Sequence, residues 1–346
     1  MPERTEASLS SSTLSSTPNA AGQKKKLIIR WAVRLGGTAL LVFFLLRLNL
    51  DFGRLWQEIR TSNLWLVAFA IVLVFPMIAI KAWRWQTILK DLGINISFGQ
   101  AYRYYSLGVS AASFTPGQAG DFIKAWHLQA QGYSLGLGLV SNILDRLFDI
   151  AALVLLAATG LLVLGADFVS ILPALLALAV GVIAGLVVLS VPGLRNRLLG
   201  FALKLFLRKK ARQLGEENLA REEAEAEKRL GPVNFVPVFV QTVLGTAIVL
   251  FRVWLLALAL GMHLGFMELI ASSSMATVVS LIPVSVGGIG ARDLALVGIL
   301  TKLGYAKEQA IGLSTYILML NLVNLVAGLV VWGGKKGTKS APLEVR

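Results

Sequence analysis

Ser113-Phe114-Thr115-Pro116-Gly117-Gln118-Ala119-Gly120-Asp121 interrupts an otherwise lipid-soluble chain. Ser280-Leu281-Ile282-Pro283-Val284-Ser285-Val286-Gly287-Gly288-Ile289-Gly290-Ala291-Arg292-Asp293 interrupts it again in nearly the same wording. In each, Pro follows Ser by three residues, Gly follows Pro by four, and an acidic residue comes soon after. Proline removes a backbone donor and clashes with a helix interior, and glycine permits conformations that other residues avoid, so each cluster is predicted to break a helix. In lipid, the backbone groups freed by a break are tolerated only where protein buries them or water reaches them. Two matched breaks in corresponding halves therefore point to a transport site.

The composition fixes the class around these breaks. Hydrophobic residues make up 56% of the 346 positions and charged residues 15%, with a mean hydropathy of +0.71. A soluble domain carries about 25% charged residues, so the chain reads as a polytopic membrane protein. The net charge of +14 then serves topology and contact with anionic headgroups. Nucleic acid is not an expected partner, because no basic, aromatic-interleaved soluble module is present. The absence of cysteine excludes disulfides, thiolate metal sites and a cysteine nucleophile.

Working outward, residues 1–23 are Ser/Thr-rich without an apolar period and read as a disordered cytoplasmic tail. The membrane domain is expected over residues 24–334, with a charged cytoplasmic loop at 193–232 and a short basic tail at 335–346. Full spans are predicted near Leu27–Leu48, Leu64–Trp85, Ser141–Leu164, Ile171–Val191, Phe235–Leu260 and Ile311–Trp332. Phe52, Leu55, Trp56 and Ile59 recur at helical spacing and read as a helix lying in the interface. The segments near 101–130 and 266–303 each hold one break. Read as re-entrant hairpins, they put Lys81, Arg84, Lys90, the Arg195–Arg229 loop and Lys335, Lys336 and Lys339 on the cytoplasmic side, together with both termini. The fold expected is thus all-α and integral to the inner membrane: six full spans and two re-entrant helical hairpins in an inverted repeat. The alternative is that each break merely kinks an ordinary span.

Several residues suit an anionic ligand. Gly287, Gly288 and Gly290 lead into Arg292 and Asp293 at the start of an apolar helix. There the glycines allow close backbone approach, the helix N-terminus offers unpaired N–H groups, and arginine adds a planar charged fork. The alternative is a structural turn with Arg292 paired to Asp293. In the first break, Asp121 and Lys124 share a helical face after Gly117 and Gly120. Asp145, Arg146 and Asp149 open the following span as a second shell or gate, with Arg146 in reach of Asp149. Asn321 and Asn324 share a face of the last span, where buried amides bind neighbouring helices. Trp83, Trp85, Tyr102, Tyr104 and Tyr105 read as an aromatic belt. His127 and His263 fall in separate loops, so neither a metal nor a cofactor is expected, and no motif of an enzyme is present.

With both breaks and the Asp145-Arg146-x-x-Asp149 segment placed, the chain resembles the lysylphosphatidylglycerol synthase transmembrane-region family over about residues 27 to 333. The resemblance implies a lipid-translocating bundle with two re-entrant helices. The namesake's aminoacyl transfer belongs to a separate soluble domain, so only the membrane part carries over. The family often has Glu after the motif arginine, where this chain has Asp293. The expected function is movement of an amphipathic phosphate-bearing lipid, with an anionic headgroup, between leaflets. Two rivals are a non-transporting membrane partner of a lipid-modifying enzyme and an ion-coupled carrier of a small anion. A homo-oligomer or an enzyme partner is compatible with each reading.

Overall fold

A computed structural model describes residues 56–57, 60–113, 115–165, 169, 171–190, 193–194, 234–280 and 291–333. The predicted first span, most of the interfacial helix, most of the charged loop, both tails and the second break, with Gly287, Gly288 and Gly290, lie outside the described residues. The described elements are helical. They are α1 (Leu64–Val72), α2 (Val74–Asp91), α3 (Phe98–Ala112), a 3-10 helix (Pro116–Phe122), α4 (Ile123–Gln129), α5 (Leu135–Leu164), α6 (Leu172–Ser190), α7 (Phe235–Ala259), α8 (Phe266–Ser280), α9 (Ala291–Lys302) and α10 (Lys307–Gly333).

Four of these stretches are long and apolar enough to cross a membrane: Leu64–Asp91, Leu135–Leu164, Phe235–Ala259 and Lys307–Val331. Their outward faces are apolar. Trp65 and Leu162 are 86% and 85% exposed, which suits contact with lipid tails and not with water. The predicted span at Ile171–Val191 is realised as the shorter apolar helix α6.

Local chemistry sets the boundaries. Asn63 caps α1, its side-chain oxygen accepting from the amides of Trp65 and Leu66. Pro76 lies in the first turn of α2, where its missing N–H is least costly, and the chain pauses at Leu73 between the two helices. Ser97 and Gln100 form a reciprocal capping box at the start of α3.

The first break follows the proline logic. Thr115 is extended ahead of Pro116, and hydroxyls take over the freed backbone groups. Thr115 donates to the Ala111 carbonyl (3.1 Å) and accepts from the Gly120 amide (2.6 Å), while Ser113 donates to Val109 (3.0 Å). Gly120 is required by close approach, because a Cβ there would lie 2.3 Å from the backbone of Ala111. The chain then returns alongside α3 to the end from which it came. Tyr133, just beyond α4, donates its hydroxyl to the Asn95 carbonyl just before α3 (2.8 Å).

The two halves share their turns. Leu92 and Leu260 have the same backbone angles, Gly93 and Gly261 follow in the left-handed region (φ 74° and 68°), and Ile94 and Met262 donate back to Leu89 and Ala257. After α4 and α9, Gly132 (φ 90°) and Gly304 (φ 89°) are each followed by a tyrosine whose amide donates five residues back, to Leu128 and Leu300. Helix pairing matches as well: α3 packs along α10, and α8 along α5. The long helices α2 and α7 pack antiparallel. The Asn234 amide donates to the Asp91 carboxylate at one end (2.8 Å), and the Asn63 amide to the Ala259 carbonyl at the other (2.9 Å).

Candidate functional site

Where α2, α3, the first break and α5 meet, the structure gathers charge inside the bundle. Arg84 of α2 is the centre. Its Nη2 lies 2.7 Å from Oδ1 of Asp145, its Nε donates to the same oxygen (2.8 Å), and its Nη1 reaches Oδ1 of Asp149 (2.7 Å) and the Thr242 hydroxyl (3.2 Å). Asp145 and Asp149 present one helical face, so a single guanidinium holds both. Lys81, one turn before Arg84, lies 3.5 Å from Asp149.

The hairpin completes the cluster. Lys124 Nζ sits 2.9 Å from Oδ2 of Asp121 and 3.4 Å from Oδ2 of Asp145, over the ring of Tyr105 at 4.1 Å. The Tyr105 hydroxyl donates to Asp145 (3.2 Å). Arg146 directs both Nε (3.2 Å) and Nη2 (3.0 Å) onto that same oxygen of Asp121. The predicted pair Asp121 and Lys124 is therefore joined. Arg146 gives its hydrogen bonds to Asp121 of the hairpin, and Asp149 is bonded to Arg84 of α2.

Among the described residues, four cations (Lys81, Arg84, Lys124, Arg146) share three carboxylates (Asp121, Asp145, Asp149), which leaves one positive charge in excess. Arg84, Lys124, Asp121 and Asp145 are buried, whereas the Arg146 side chain is 30% exposed. The cluster thus has a sealed interior and an edge with access. Asn142 lies one turn before Arg146, on the face of α5 that meets the hairpin, since Gly138 abuts Ala125. It is fully buried, and both its amide atoms lack a hydrogen-bond partner among the described residues. A polar ligand at this face would meet that unsatisfied amide beside Arg146.

Other predicted residues are placed elsewhere. Arg292 donates Nε and Nη2 to Oδ1 of Asp293 (3.1 and 2.8 Å) at the start of α9. Asn324 accepts from Arg252 of α7 (3.2 Å), a contact between helices as its position predicts, and Asn321 faces partly outward on the same helix. Trp85 and Tyr105 are core residues and not belt anchors: both are buried, and Trp85 donates to the Ser141 hydroxyl (3.1 Å). Trp83, half exposed, keeps the anchoring position. His127 stacks on Tyr104 with ring centroids 5.3 Å apart. In the turn after α9, partial burial and the nearby Glu268 raise the pKa of Tyr305.

Sequence reasoning missed Arg84, Lys81, Tyr105, Asn142 and Arg252. The sidedness of charges places Arg84 with the other positive residues and gives no sign that it is among the most deeply buried side chains. The signal lay in Asp145 and Asp149, two carboxylates one turn apart in an apolar helix, which require a cation from another element.

Apolar outward faces, four membrane-length helices and an interior ion cluster define a multi-pass membrane protein. The chain belongs to the lysylphosphatidylglycerol synthase TM region family, whose model matches residues 31–329. No curated protein matches it significantly. The family associates the chain with lipid handling in the membrane.

Proposed function

We propose that this protein translocates a net-anionic, phosphate-bearing lipid between the leaflets of the inner membrane, with both termini cytoplasmic. The observation that carries the reading is the ion cluster with one positive charge in excess, built on a helical break and exposed at Arg146. Ionisable groups at membrane depth are expensive and mark substrate paths. One oxygen of Asp121 receives Lys124 and two N–H groups of Arg146, the arrangement an oxyanion would take. A phosphate arriving at the exposed edge competes with Asp121 for these donors, and Asn142 adds a fourth group. Asp145 and Asp149 keep the remaining cations in place, and Asn321 and Asn324 act in the corresponding helix.

The architecture in this reading is an inverted repeat of two re-entrant hairpins. Three observations support it: the first hairpin ends beside its start, the turns after α2 and α7 match, and helix pairings exchange between halves. Because α2 and α7 run antiparallel, hairpins that follow each of them dip in from opposite faces. In the second half Arg292, 168 residues after Lys124, takes its place as headgroup contact, with Asp293 orienting its guanidinium.

Native mass spectrometry of co-purified phosphatidylglycerol tests this, beside thermal stability in detergent. Arg146→Gln and Arg292→Ala are expected to lose most of the bound lipid with little change in Tm, and Arg292→Lys to recover part, because a point charge does not replace the fork. If Arg292→Ala and Asp293→Asn lose stability together and in proportion to lipid, Arg292 is a structural residue and the headgroup role falls.

A further inference from the structure

Arg252 lies in the interior of α7, 2% exposed, and its partners among the described residues are uncharged. Its Nε donates to the Ala70 carbonyl (2.8 Å), and its Nη1 to Met77 Sδ and Asn324 Oδ1 (both 3.2 Å). Nη2 is buried with no hydrogen-bond partner among the described residues. A guanidinium keeps its charge at any physiological pH, and an uncompensated charge inside a membrane bundle is costly. A clasp on the Ala70 carbonyl accounts for Nε. It leaves the charge and Nη2 unexplained.

The second half supplies no carboxylate for it. Between residues 234 and 333 the sequence has only Glu268, Asp293 and Glu308. Glu268 accepts from the Gly265 amide at the start of α8 (3.2 Å), Asp293 holds Arg292, and Glu308 lies in the first turn of α10. Arg84 is the instructive contrast. It precedes Arg252 by 168 residues, the separation that also relates Gly93 to Gly261 and Gly160 to Gly328. Arg84 meets two carboxylates on α5; Arg252 meets a neutral amide on α10.

We propose that Arg252 is an anion-binding residue whose counter-charge is the phosphate oxyanion of a lipid headgroup, received by Nη1 and Nη2 with the Asn324 amide beside them. The proposal rests on the reading that an anionic headgroup enters the bundle, and it adds a second station on α7 and α10 to the cluster of the first half. The wall over Arg252 is suited to opening. On one side it is a flexible Met77 thioether, and Ala70 lies three residues from the joint at Leu73 between α1 and α2.

The test compares Tm and bound lipid for the full chain in nanodiscs of phosphatidylglycerol and of phosphatidylcholine, the latter with and without inorganic phosphate. The unmodified protein is expected to melt higher in phosphatidylglycerol. Arg252→Gln is expected to lose that difference and to retain phosphatidylglycerol about thirtyfold less well or worse, as expected for truncating one member of a buried charge pair. Asn324→Asp sets a carboxylate directly on Nη1. It is expected to raise Tm in phosphatidylcholine and to abolish the extra effect of phosphatidylglycerol.

A clasp gives a different pattern: Arg252→Gln lowers Tm equally in both lipids and Asn324→Asp leaves the lipid effect intact, and either result overturns the proposal. A lipid effect lost in Arg292→Ala and kept in Arg252→Gln overturns this station alone. No lipid effect in the unmodified protein overturns the lipid-handling reading with it. Stabilisation by inorganic phosphate that needs Arg252 supports the oxyanion site and assigns its source to solution.

Discussion

Replacing Asp145 by Asn changes one atom's chemistry and no volume, so its consequences are electrostatic. Asp145 Oδ1 receives Arg84 through Nη2 (2.7 Å) and Nε (2.8 Å), and Oδ2 receives Tyr105 (3.2 Å) and Lys124 (3.4 Å). An asparagine keeps one acceptor and turns an N–H₂ group toward donors. The cluster is left with four cations and two carboxylates. Both Arg84 and Asp145 are almost fully buried, so screening by water is weak, and losing one partner of such a pair costs about 3–5 kcal/mol. For a chain of this size that corresponds to a fall in Tm of roughly 4–7 °C.

Removing the opposing cation should return part of the loss. Lys124→Met deletes a charge and keeps an unbranched apolar stem in a site that is 0% exposed. In the double variant Asp145→Asn/Lys124→Met the effects are expected to be less than additive, with a coupling of about 1–3 kcal/mol. Thermal unfolding in detergent, followed by intrinsic fluorescence, measures all four corners of the cycle. Additivity within about 0.5 kcal/mol would refute the reasoning, because it would mean that the two groups do not share one electrostatic unit.

Helix packing and sidedness give further expectations. Gly328→Ala would put a methyl 2.2 Å from the Ser106 carbonyl of α3, so α3 and α10 must separate, at a cost of about 1–3 kcal/mol. Gly298→Ala, with nothing within 4 Å, is expected to be neutral or to gain up to about 1 kcal/mol from helix propensity; similar losses for both would contradict the close crossing. Single cysteines in this cysteine-free background are expected to label from the cytoplasm at Gln131 and Glu217, and from outside at Gly165 and Lys307. If Gln131 and Gly165 report the same side, the first hairpin is not re-entrant.

Spans and breaks were legible because their signals are local. Hydropathy locates α7 and α10 to within four residues and the end of α5, which starts six residues before the expected span, and the Pro116 break follows from missing donors and forced backbone angles. The Asp121 and Lys124 pair was legible for the same reason, being one turn of chain. Arg84 and Asp145 lie 61 positions apart in the sequence, and no spacing rule reaches across that distance. A separation of 25 residues likewise hid the hydrogen-bonded partner of Arg146, which is in the hairpin and not on its own helix. Arg252 left a trace that went unread: a lone arginine between Phe251 and Val253, in the middle of an apolar run. Trp85 and Tyr105 misled in the opposite sense, since an aromatic near a predicted span end fits a belt until Lys124 is seen packed over it.

Lipid translocation by this protein is measured in liposomes holding it alone, with tail-labelled fluorescent phosphatidylglycerol or phosphatidylcholine and a membrane-impermeant quencher added outside. The protein is expected to let the quencher reach phosphatidylglycerol that starts in the inner leaflet much faster than in protein-free liposomes, phosphatidylcholine is expected to move less, and Arg146→Gln is expected to lose the gain. Equal rates with and without protein, or a gain that ignores headgroup charge and survives Arg146→Gln, would contradict the proposed translocation.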